Sequence, residues 1–99
     1  MEHRLTREEI DAIISKQAYL IDVRSDAEVA EKHCPTATHW DVQQMAEGRF
    51  PNIPKEAPVF VFCRSGSRSA MAQRLLGGAG FTNAHSLGGL RDVPQELWG

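Results

Sequence analysis

Cysteine is scarce in this 99-residue chain. Cys34 and Cys63 are the only two, and they form no disulfide framework. Zinc needs a complete ligand set, and the four histidines (His3, His33, His39, His85) are scattered without paired metal-ligand spacing. No metal is therefore expected; nor is an organic cofactor expected for the chemistry considered below. A strong charge of either sign is also lacking: the net charge of −2 points to neither nucleic acid nor an acidic membrane surface as a partner. There is no long apolar run, and Met1-Glu2-His3-Arg4-Leu5 lacks the apolar core of a signal peptide. A cytoplasmic protein is expected, in reducing surroundings that suit a reactive thiol. Repeats and low-complexity tracts are missing as well, and the proline-punctuated stretch 51–58 is too short for an interdomain linker. Residues 1–99 thus read as one domain, large enough for a core without staples and expected to be a monomer.

What the chain does have is concentrated in Val59-Phe60-Val61-Phe62-Cys63-Arg64-Ser65-Gly66-Ser67-Arg68-Ser69-Ala70. The unbroken apolar run after Pro58 reads as a strand buried on both faces of a parallel sheet. From Met71 to Leu76 the apolar spacing suits a helix. Cys63 should therefore end a buried strand, with a tight loop leading into a helix N-terminus. A free thiol of pKa ~8.5 is mostly protonated at neutral pH, and the thiolate is the nucleophile. Consecutive loop N–H groups, the helix dipole and the guanidiniums of Arg64 and Arg68 all favour the anion. Lowering the pKa by ~2 would leave it mostly ionised at pH 7. No acidic residue lies between Ala57 and Phe81 to cancel that field. The same groups would hold an anionic substrate.

Cys63-Arg64-Ser65-Gly66-Ser67-Arg68-Ser69-Ala70 resembles the active-site loop of the rhodanese (thiosulfate sulfurtransferase) family, C-R-x-G-x-R-S-A. Leu20-Ile21-Asp22-Val23-Arg24 with Asp26-Ala27-Glu28 resembles the family's D-V-R strand end and the acidic helix after it. Ala84-His85-Ser86-Leu87-Gly88-Gly89-Leu90 resembles its last strand and Gly-Gly turn. Lys32 and Thr36 stand where the family usually has glycine, and Leu90 stands where it often has tryptophan. The resemblance implies an α/β rhodanese-like domain with a central parallel sheet of about five strands and helices on both faces. It also implies a catalytic Cys63 that takes a sulfane sulfur from a donor such as thiosulfate and passes it to cyanide or a thiol. Arg64, Ser65, Gly66, Ser67, Arg68 and Ser69 would form the substrate-binding loop, with Arg64 on the donor's sulfonate and Arg68 pinning the loop.

Elsewhere, Thr6 and Glu9 form a capping-box signature for a first helix with Ile10, Ile13 and Ile14 on its apolar face. Tyr19–Val23 reads as a strand, and Ser25 as the cap of a short helix. Asp22 and Arg24 are supporting candidates: either a brace for the loop, or an ordinary local pair such as Arg24 with Glu28. Thr38–Trp40 should be a short strand, Asp41–Phe50 a helix with Val42, Met45 and Ala46 inward, and Asn83–Ser86 the last strand. Cys34 should be passive and partly buried, because it lies at the amino edge of its strand and Cys63 at the carboxyl edge of another. A strand of four or five residues separates such edges by ~15 Å, beyond disulfide reach.

Phosphatase-type loops of related folds resemble C-x5-R, whereas four residues separate Cys63 from Arg68. That shorter loop makes a tighter cradle, suited to sulfur. A catalytically dead binding module would typically lack the cysteine. A persulfide carrier serving a specific partner protein remains the alternative function.

Overall fold

The computed structural model describes residues 2–99. Its sheet is parallel throughout, in the order β2-β1-β3-β4, with β1 at Tyr19–Asp22, β2 at Thr38–His39, β3 at Val59–Phe62 and β4 at Ala84–Gly88. Every residue of β3 is buried, as the unbroken apolar run predicts for a central strand covered on both sides. Side chains alternate between the faces. Phe60 and Phe62 join Leu20 and Leu87 in one core cluster, while Val59, Val61 and Cys63 join Ile21 and Val23 in the other.

Helices cover both faces. Helix α1 (Arg7–Ile14) brings Ile10 and Ile13 to the first cluster, which Val93 and Leu97 of the C-terminal tail complete. Helices α3 (Val42–Ala46) and α4 (Ser67–Gly78) bring Val42, Met45, Ala72 and Leu76 to the second. The capping box at Thr6 forms with Glu9, and a second forms between Ser25 and Glu28 at the start of α2 (Asp26–Glu31).

Several expectations need correction. Among the described residues the sheet has four strands, fewer than the five or so expected. The segment before α1 meets β4 through the His3 N–H to the Ser86 carbonyl (2.8 Å) and forms no ladder there. Ile14 is 51% exposed and lies off the buried stripe of α1. Helix α3 stops at Ala46, which is exposed, and Gly48 at φ +87° follows it. Helix α4 begins at Ser67, inside the loop motif, and β4 runs on to Gly88. Cys34 is fully buried, 1% exposed, with its thiol 3.2 Å from the Leu97 carbonyl.

Leu97 sits at the junction of this face: its side chain is inaccessible, and its carbonyl also accepts from the Thr36 hydroxyl at 2.6 Å. Leu97→Ala should destabilise the fold by about 2–5 kcal/mol, the usual cost of such a cavity. Urea unfolding followed by circular dichroism measures it. A cost well below that range would mean that the tail does not close the core.

Candidate active site

The site forms where β3 and β4 end. Their register runs Val61 opposite Ser86 and then Phe62 opposite Gly88, so β4 carries one extra residue at this point. That bulge turns the β4 end inward, and the Cys63 N–H reaches the Gly88 carbonyl at 3.1 Å. Gly88 has φ +107°, a backbone favouring glycine. Gly89 is required by space: a Cβ there would lie 2.6 Å from the Arg64 carbonyl oxygen. The Gly-Gly pair thus allows a close approach of the two backbones, and Ser65 bridges to Gly89 within it.

From Cys63 the chain turns through Gly66, at φ +112°, into α4. This left-handed turn aims the Gly66 N–H at the Cys63 sulfur, 2.9 Å away. The Ser69 hydroxyl lies 3.7 Å from the same atom. Burial pushes the Cys63 thiol up, since Cys63 is inaccessible to solvent. The backbone N–H groups of Ser69, Gly66 and Ser65, with the Ser69 hydroxyl, more than offset that, and the pKa falls below its ordinary value. Ser69 also donates to the Gly66 and Gly88 carbonyls, at 3.0 and 3.1 Å, and receives the Ser86 hydroxyl at 2.8 Å.

The two arginines face different surroundings. Arg68 turns from the loop to α2, where it grips both carboxylate oxygens of Glu28 at 2.6 and 2.8 Å. The loop field is thus partly neutralised by an acid forty residues away in sequence. Glu28 is the residue that sequence reasoning missed as a site member. Its capping-box position was visible, but nothing local announced that its carboxylate would also meet Arg68. Arg64 is exposed and borders a cleft of about 220 Å³ with Arg24, Glu28, Glu31, Lys32 and Leu90. The Ser65 and Ser67 side chains are exposed at the loop's outer side.

Asp22 and Arg24 pair with each other. The guanidinium meets the Asp22 carboxylate at 2.7–3.0 Å, both residues are buried, and Arg24 also donates to the Lys32 carbonyl at 2.6 Å. The Arg24–Glu28 carboxylate pair does not form; Arg24 reaches only the Glu28 carbonyl, at 3.4 Å. The pair therefore braces the β1 end and the far end of α2, and its contact with the Cys63 loop is indirect, through Glu28. A wider groove of about 420 Å³ lined by Ile13, Ile14, Tyr19 and Pro35 holds no cysteine, histidine or carboxylate. Among the described residues no cluster could hold a metal ion, and no helix is long and apolar enough to cross a membrane.

The Arg68 guanidinium holds the Glu28 carboxyl far below the usual carboxylate range, against the opposing effect of burial. A depressed acid contributes stability that is complete above its unfolded pKa of ~4.3 and is lost as pH falls. Glu28→Gln keeps the capping role but loses the charge. It should destabilise the protein by about 1–2 kcal/mol at pH 7, with the gap to wild type shrinking steadily below about pH 4. Denaturation at a series of pH values checks this, and a gap that does not vary with pH would refute the ion-pair assignment.

Residues 6–93 match the rhodanese-like domain family. The thiosulfate sulfurtransferase GlpE of Pseudomonas entomophila is 33% identical over 96% of this chain and 83% of its own length. The putative sulfurtransferase YtwF of Bacillus subtilis is 36% identical over 85% of this chain and 79% of its own. Among solved structures, a human single-domain sulfurtransferase superposes with a TM-score of 0.72 at 25% identity, covering 90% of this chain and 92% of that one. The parallel sheet, the glycine-shaped loop around Cys63 and these relatives agree: the chain belongs to the rhodanese-like domain family.

Proposed function

We propose that the protein is a sulfurtransferase that carries a sulfane sulfur on Cys63. The sulfurtransferase class is supported by relatives of similar length that bear that name. The observation that carries the residue assignment is the Cys63 sulfur at the focus of inward-pointing N–H groups, with that of Gly66 at 2.9 Å.

In the first half-reaction the Cys63 thiolate attacks the outer sulfur of thiosulfate. A sulfur–sulfur bond forms, the bond to the sulfonate sulfur breaks, and sulfite leaves with the electron pair. Cys63 persulfide remains. In the second, cyanide or a thiolate attacks the outer sulfur and Cys63 is released as thiolate. Negative charge stays on sulfur at the loop in both resting states, where fixed N–H donors need no reorganisation to stabilise it. Cys63 is inaccessible to solvent, and the nearby cleft is the one that Arg64 borders. Exposed Arg64 meets the donor's sulfonate there. Arg68, tied to Glu28, fixes the first turn of α4 against α2 and so holds the loop's shape.

Cys63→Ser should abolish thiosulfate-dependent sulfur transfer, and Cys34→Ser should leave most of it, because Cys34 lies in the other core cluster beneath Leu97. Mass spectrometry after thiosulfate treatment should find one added sulfur atom on Cys63. Unlabelled Cys63, or loss of activity in a folded Cys34→Ser protein, would overturn the assignment.

The exposure of Arg64 gives a second expectation. Arg64→Lys should raise KM for thiosulfate several-fold and leave kcat within a few-fold, the signature of binding shared by ground and transition states. Steady-state kinetics decides it, and a strong fall in kcat at unchanged KM would place Arg64 in the chemical step instead.

A further inference from the structure

Ser86 lies on β4, outside the loop motif, yet its hydroxyl is part of the loop's innermost network. It is 4% exposed and sits opposite Val61, facing α4. Two residues one turn apart on that helix hold it: Gln73 Oε1 accepts the Ser86 N–H at 2.5 Å, and the Ser69 oxygen accepts the Ser86 hydroxyl at 2.8 Å. Ser69 in turn faces two carbonyl acceptors, Gly66 at 3.0 Å and Gly88 at 3.1 Å, and the Cys63 sulfur at 3.7 Å, which donates to the Ser69 oxygen as a thiol and becomes an acceptor once ionised.

A hydroxyl has one proton to give and two lone pairs. With the Ser69 proton on a carbonyl, the short Ser69–Ser86 contact must carry the Ser86 proton, for otherwise two buried oxygens would face each other with no hydrogen between them. The direction of the chain is thereby fixed, from Ser86 to Ser69. Both carbonyls that compete for the Ser69 proton have another donor: Ala70 N–H reaches Gly66 O at 3.0 Å, and Cys63 N–H reaches Gly88 O at 3.1 Å. When Cys63 ionises, Ser69 can therefore turn its proton to the sulfur without leaving either carbonyl unpaired. A hydroxyl that already accepts a hydrogen bond is the stronger donor, because chains of such bonds polarise one another.

We propose that Ser86 is a positioning residue for sulfur transfer: by donating to Ser69 it orients and strengthens the Ser69 hydroxyl as a proton donor to the anionic Cys63 sulfur. Ser86 touches neither substrate nor the reacting sulfur and acts only through Ser69. The inference rests on Cys63 as the reactive thiol, and it concerns the thiolate whether or not thiosulfate is the donor.

The test reads thiol ionisation directly, by the pH dependence of iodoacetamide alkylation at Cys63 in the Cys34→Ser background. Its outcome is separate from that of any sulfur-transfer assay. The charged groups around the site, Arg64, Arg68, Glu28, Asp41, Glu2 and Asp92, are the same in every variant compared. Ser86→Ala should raise the alkylation midpoint by about half a pH unit, a roughly threefold loss of thiolate at a fixed pH well below it. Ser86→Thr, which restores the hydroxyl, should return the midpoint towards wild type. Ser69→Ala should raise it at least as far, and adding Ser86→Ala to Ser69→Ala should raise it no further. A Ser86→Ala midpoint equal to wild type, or an increment that persists when Ser69 is already alanine, overturns the proposal. Should the Ser86 variants not fold, the unmutated protein decides: the carbon-13 Cβ resonance of Ser86 should titrate with the Cys63 midpoint, and a flat resonance overturns the coupling.

Discussion

The arrangement depends on one constraint, the pressing of the β4 end against the chain that leaves β3. Gly89 lies so close to Arg64 that no side chain fits between them, and Gly88 O holds Cys63 N–H. With the strand end anchored in this way, the chain turns at Gly66 within three residues, and the N–H groups at the start of α4 face back toward the sulfur. A buried thiol would ordinarily be a poor acid, because removing an anion from water is costly. Here the donors are covalently built into the turn, so their orientation is settled when the sheet forms. The low pKa of Cys63 is in that sense a property of the fold.

The source of the favourable field is correspondingly the backbone more than the guanidiniums. Arg68 spends its fork on Glu28, and Arg24 spends its own on Asp22. Neither pair is a large source of stability, since desolvation offsets much of the attraction. What the pairs supply is placement. Asp22–Arg24 ties β1 to the end of α2, and Glu28–Arg68 ties the beginning of α2 to the first turn of α4. Helix α2 has no fully buried residue and could not be held by packing alone. Charge pairing takes over the task that apolar contacts perform for α1 and α4.

This division explains what could be read from the sequence. The β3 run, the Thr6–Glu9 capping box, the Ser25 cap, the small and cationic loop and the Gly-Gly pair are local signals, and each appears where local chemistry puts it. Glu28–Arg68 and the Ser86–Ser69 contact join residues on different elements, so no spacing rule could announce them. Ile14 was misread for a related reason: it is the last residue of α1, off the stripe made by Ile10 and Ile13, and its neighbours leave half of it exposed. The four strands read from the residues all form, and the fifth that the family resemblance added is not among them.

The alternation of the sheet also places the two buried cysteines in different surroundings. Cys63 continues the Val59, Val61 face, so its sulfur lies under α4, where N–H groups are free because a helix start leaves its first donors unpaired. Cys34 joins the Phe60, Phe62 face under the C-terminal tail, where its polar neighbours are the Leu97 carbonyl and the Thr36 hydroxyl. The intervening sheet separates the two sulfurs, so neither shares the other's surroundings. Burial is common to both; what sets Cys63 apart is the turn into α4, whose N–H groups lower its pKa against the opposing effect of burial.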